Sequence, residues 1–264
     1  MTLLLTACAA LLLAACQVPA ALTPPVSDPS APPEPTAPAA DPTPASKTGE
    51  FSFDVSGAAQ GWTGELAAAV PPGPDRMGWE AMPQHHRAAL QGYPVTAHRS
   101  KPQIFVYPVA ELAAFNPAAA QAAADLQNLL ISRTPPAGAL PQLPLSNDIQ
   151  ALHARVVFLD FQNGSGAAYL TQSNQGPVKI NNVNLVYTFQ GLTADGKFYV
   201  AAVLPVTHPN LPAAEQVYSD DPAILAGFQA YLADTAAWLD QQPPASFTPS
   251  LSVLDDLIRS IRVE

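Results

Sequence analysis

The chain has 264 residues, 48% of them hydrophobic, and carries a formal net charge of −10 with a pI of about 4.7. That balance repels polyanions, which argues against nucleic acid as a partner and disfavours direct docking on anionic headgroups. Both cysteines, Cys8 and Cys16, lie in the first sixteen residues. The remainder therefore has no thiol for a disulfide, a thiolate metal site or a cysteine nucleophile.

Residues 2–15 are uncharged and mostly Leu and Ala. The run suits a signal-peptide core but is too short to cross a bilayer as a helix, which takes about 20 apolar residues. Leu13-Ala14-Ala15-Cys16 closes it. The small residues let an extended chain enter a peptidase cleft, and the Cys16 sulfur can take a diacylglyceryl group. These four residues resemble the lipobox of bacterial lipoproteins. The resemblance implies a signal peptide over 1–15, cleavage before Cys16, and an N-terminus carrying two or three acyl chains. A single myristoyl-sized chain binds only marginally, at about 0.8 kcal/mol per buried CH₂, whereas two or three anchor stably. Gln17 follows in place of Asp, which under the family's sorting rule favours the outer of two membranes. No Lys or Arg precedes the apolar run, so a start upstream of Met1 is expected. Leu5-Thr6-Ala7-Cys8 matches the pattern more weakly. The alternatives are a cleaved secretory leader with an incidental cysteine and, behind it, a short uncleaved anchor.

From Gln17 to Ser46, ten of thirty residues are proline, and most of the rest are Ala, Ser, Thr and Asp. Such a segment buries too little apolar surface to offset its ordering cost, and proline favours polyproline II. Residues 16–48 are thus predicted to be a disordered tether, lifting one domain over 49–264 off the membrane.

Within that domain Phe51, Phe53 and Val55 alternate as on a half-buried strand. Strands are also predicted over 65–70, 88–95 and 103–107, the last closed by Pro108. Asn116 and Pro117 form a helix-start signal, Ala119, Ala122, Ala123, Leu126, Leu129 and Leu130 supply the stripe, and Arg133 suits the helix end. Strands over 155–161 and 167–172 flank Asn163-Gly164-Ser165-Gly166, a hairpin turn signal. A second hairpin, 183–192 with 197–206, turns at Ala194-Asp195-Gly196. Phe198, Val200, Ala202 and Leu204 oppose Tyr199 and Val203, which predicts an inner strand covered on both faces. Two helices follow, one from Asp221-Pro222 with a stripe from Ile224 to Leu239, and one after Thr248-Pro249 with a stripe from Leu251 to Ile261. Eight acids stand against Arg259 and Arg262 after residue 212, so these helices are expected to show water an acidic face. The fold class is α+β: one antiparallel β-meander packed by helices.

The tracts Phe158-Leu159-Asp160-Phe161-Gln162-Asn163-Gly164-Ser165-Gly166 and Tyr187-Thr188-Phe189-Gln190-Gly191-Leu192-Thr193, with Lys197-Phe198-Tyr199-Val200, resemble an uncharacterised group of bacterial lipoproteins. The resemblance implies no catalytic residues. The element order is similar to the Mog1/PsbP-like α+β fold.

Residues with the side chains for chemistry are scattered. His85-His86 on a strand would point to opposite faces and not share a metal. His98, His153 and His208 show no His-x-His or His-Glu-x-x-His spacing. Ser165 lies in a hairpin, not in the strand–Gly-x-Ser-x-Gly–helix setting of a hydrolase. Asn163-Gly164-Ser165 also matches a glycosylation acceptor, but turn chemistry already explains it. Asp160 interrupts an apolar strand, Asp195 belongs to a turn, and no phosphate-binding glycine loop is present. Trp62 and Trp79, in loop-like sequence, offer either a stacking platform or a lid over the sheet. No cofactor and no metal are expected. The reading is a non-enzymatic, lipid-anchored binding or accessory domain outside the cytoplasm, partnered by the membrane and an envelope protein or wall polymer. The alternatives are an envelope hydrolase using His and Asp, or a subunit of a membrane complex.

Overall fold

A computed structural model describes residues 50–214 and 221–264. The signal peptide, Cys16 and the tether expected over 1–48 lie outside the described residues. In chain order the elements are β1 (Phe51–Ser52), β2 (Gly61–Ala67), β3 (His85–Gln91), β4 (Gln103–Pro108), α1 (Val109–Phe115), α2 (Pro117–Ser132), β5 (Ile149–Phe161), β6 (Gly164–Asn174), β7 (Val186–Thr193), β8 (Phe198–Pro205), α3 (Pro222–Gln241), α4 (Leu251–Ser260) and β9 (Arg262–Val263).

Seven strands form one sheet in the order β2-β3-β4-β8-β7-β6-β5, every neighbour antiparallel. After β4 the chain passes through α1, α2 and an irregular strap (residues 133–148), reaching the far edge at β5. It then returns as a meander until β8 closes against β4. β1 and β9 make a separate two-stranded pair. The fold is α+β.

β8 is buried on both faces because its alternation feeds two cores. Val200, Ala202 and Leu204 join the core under α3 and α4, while Tyr199 and Ala201 join the core under α1 and α2. The sheet is therefore a filling between two helical layers. Asn116 fixes one layer: its Oδ1 accepts from the N–H groups of Ala118 and Ala119, and its Nδ2 donates to the carbonyls of Gly78 and Ala81. Asp221 caps α3 through the Ala223 N–H at 2.8 Å. Arg133 ends α2 in the left-handed region (φ 48°), with its guanidinium 5.3 Å from the Phe158 ring centre.

Several local expectations shift. β1 is two residues long and pairs with β9, which was not foreseen. β2 and β3 begin earlier than predicted, so Trp62 lies on a strand. α1 follows Pro108 directly: Pro108 closes β4 and its extended backbone (φ −71°, ψ 112°) serves as the N-cap, without a side-chain cap bond. In the first hairpin Gln162 and Asn163 make the turn, and Gly164 and Gly166 lie within β6. Ile224, expected on the buried stripe of α3, is 46% exposed because only the later turns of the helix bury residues, at Leu232 and Leu239. Asp234, Asp240 and Asp256 are exposed as expected.

Candidate binding groove

A cavity of about 780 Å³ runs between α2 and the strap. One wall is a polar row on α2: Gln121, Asp125, Asn128 and Ser132, spaced four, three and four residues apart and thus on one helix face. Gln121 Nε2 donates to Asp125 Oδ1 at 2.8 Å. The other wall carries Gln142, Ser146 and Asp148, and the floor combines Leu129 and Leu140 with Gln150 and Ser173. No Lys, Arg or His lines it. Arg99 pairs with Asp148 from outside the lining, at 3.2 Å.

The strap has no strand partner, so sheet side chains satisfy its backbone. Gln190 on β7 makes two of these bonds. Its Oε1 accepts from the Leu143 N–H at 2.8 Å and from the Tyr199 hydroxyl at 2.7 Å. Its Nε2 donates to the Leu143 carbonyl at 3.1 Å and to Thr188 Oγ1 at 2.8 Å. All four hydrogen-bonding positions of the amide are thereby filled. Tyr169 donates to the Pro141 carbonyl, and Gln150 accepts from the Leu140 N–H while donating to Gln142. A rigid sheet thus holds the second wall, through buried polar groups.

The residues singled out for chemistry are dispersed. His85 and His86 do face opposite ways: the His85 ring lies 4.5 Å from Tyr107, and the His86 ring 5.8 Å from Phe51. His85 Nδ1 is 2.9 Å from the Pro83 carbonyl. His98 Nδ1 accepts from the Ser100 N–H and Nε2 donates to the Leu185 carbonyl, both at 2.9 Å. His153 is half-buried on β5, and Asp160 is exposed on the same edge strand. Burial holds His85, His98, His153 and His208 below the usual imidazole range.

His208 is the one among these that meets a serine hydroxyl. Its Nε2 lies 3.0 Å from Ser246 Oγ, but Ser246 donates to the Pro243 carbonyl at 2.7 Å. His208 Nδ1 accepts from the Asn210 N–H, so the neutral ring carries its proton on Nε2 and donates to the serine. That polarity is the reverse of a general base. Ser165 lines a separate cavity of about 720 Å³ between α2 and the hairpin tips, with no ionisable residue in its lining. Asn163 is tied to both the N–H and the carbonyl of Val263. Asp195 accepts from Thr193, from the Lys197 N–H and from Lys197 Nζ, which hold its carboxyl at about 2. Trp62 stacks on Phe53 at 4.8 Å, and Trp79 is half-buried in the loop before β3. Among the described residues no three His, Cys, Asp or Glu side chains gather as a metal site.

The groove itself was not foreseen from sequence. Its signal was available as the polar row 121, 125, 128 and 132, opposite the Ala/Leu stripe of α2. The strap wall was not legible, because Gln190 meets Leu143 across 47 residues. Comparison of the chain with family models, curated proteins and solved structures finds no match.

Proposed function

We propose that this is an envelope lipoprotein, anchored through Cys16, whose α+β domain binds an extended, uncharged partner segment in the groove between α2 and the strap. The carrying observation for binding is the groove's lining. Amide and hydroxyl groups stand on both walls over a floor of mixed polarity, the wall carboxylates Asp125 and Asp148 are taken up by Gln121 and Arg99, and no cation lines the groove for a phosphate or carboxylate. Such a site fits a peptide segment of an envelope protein or a neutral stretch of wall polymer. The lipobox residues Leu13 to Cys16 and the proline-rich run after them support the anchoring. The scattering of the histidines, and the reversed polarity of the His208–Ser246 contact, weigh against the hydrolase reading.

The test is capture of envelope protein and purified wall polymer by the mature chain and by Asn128→Trp, which places an indole in the groove without touching the core. Loss of capture in the variant is expected. Equal capture by both, or hydrolytic turnover that disappears on His208→Ala, would overturn the reading.

A further inference from the structure

The two edges of the seven-stranded sheet are built in opposite ways. β5 is broken in register at two places, between Gln150 and Leu152 and between Ala154 and Val157. At the second break Arg155 adopts φ 54° and gives its N–H to Asp240 of α3. Bulges and helix cover are the usual means of closing a sheet edge to other chains. β2, the opposite edge, has neither. Its seven residues run in unbroken register with β3 and contain no Pro or Lys. Among the described residues, no further strand pairs with its outer side. Trp62 and Leu66 stand on one face of it, 37% and 47% exposed.

We propose that β2 is a homotypic docking edge, pairing antiparallel with β2 of a second copy of this chain about a two-fold axis at Gly64. Gly64 is the midpoint of the strand, so this register alone uses all seven residues. It sets Trp62 against Leu66 of the second copy and Thr63 against Glu65. The first is a cross-strand aromatic–aliphatic pair on one face, the kind of pair that stabilises a sheet. Glu65 already bonds Arg87 within its own sheet, so the seam brings no unpaired charge together, despite the net −10 of each chain. The Trp62 ring is placed beforehand: it lies over Gly64, whose missing Cβ would meet it at 2.8 Å, and it stacks on Phe53. Such pairing is β-augmentation, with the backbone supplying affinity and the alternate side chains supplying register.

The test uses the full chain in membranes, oxidised and run without reductant. The double variant Gly61→Cys, Ala67→Cys is expected to form a disulfide-linked dimer, since residue 61 of one copy stands against residue 67 of the other and a Cβ at Gly61 meets nothing within 4 Å. Gly61→Cys alone is expected to give no dimer above the unsubstituted chain, because its counterpart lies six residues along the seam, roughly 20 Å away. Adding Leu66→Lys to the double variant should remove the dimer band while the melting temperature confirms a folded domain. As a second measurement, sedimentation of the unsubstituted chain in detergent should give a dimer. A monomer there, equal cross-linking by the single and double variants, or a cross-link of the double variant to a different polypeptide would overturn the proposal.

Discussion

Phe161 and Phe189 cross edge to face at 5.9 Å, and three glycines make room for them. A Cβ on Gly166 would lie 2.4 Å from the Phe189 ring and 2.5 Å from the Gln190 carbonyl, closer than real Cβ contacts run. Gly166→Ala is therefore expected to lower stability by about 2 kcal/mol, read as a shift in denaturant midpoint; an unchanged midpoint would show that the rings move freely. Four histidines act at the same scale. Their folded values lie below the unfolded 6.5, so below that pH the unfolded chain binds more protons. Their contribution is fully present above 6.5 and is lost as pH falls from there through their folded values. Asp255 has the opposite sign. Burial raises its carboxyl while the Tyr187 hydroxyl donates to it at 2.8 Å. Its protonation on folding partly offsets the histidine loss near and above pH 3.8. Thermal melts should show stability falling as pH drops from 7 to 5, and a flat profile would contradict the burial of these rings.

Among the elements, the strap shows how a segment without a ladder can still be a fixed wall. Its backbone depends on Gln190, so Gln190→Leu would strand the Leu143 N–H and carbonyl and the Tyr199 hydroxyl in an apolar core. The expected cost is on the order of 3 kcal/mol, with faster proteolysis within 133–148 than elsewhere. A variant cleaved no faster there than the unsubstituted chain would mean the strap is held by other contacts. The legible elements are those whose determinants are local. Asn116-Pro117 and Asp221-Pro222 each place cap and first turn side by side in sequence. The alternation of 198–204 shows both faces of β8 at once. The early half of β5 escaped because its register breaks disturb the alternation, and the pairing of β1 with β9 because Phe51 and Val263 lie so far apart in the chain. The groove escaped for the same reason: one wall is a helix face readable at period 3.6, the other a loop held by a distant glutamine.

At the scale of the whole molecule, a sheet whose central strands are buried on both faces needs no disulfide, which agrees with a domain whose chain has no cysteine after Cys16. Helical layers shield the two faces, β5 closes one edge, and β2 and the α2 groove are left as surfaces with pairing capacity. No described helix is long and apolar enough to cross a membrane; the proposed attachment is through Cys16, at the head of the proline-rich run. The central proposal, a binding domain held at a membrane through Cys16, is tested most directly by cell fractionation with labelled palmitate. The unsubstituted protein should sediment with membranes and take up label, and Cys16→Ser should appear in the soluble fraction without it. A Cys16→Ser protein that still sediments with membranes, or an unsubstituted protein that takes up no label, would contradict the proposal.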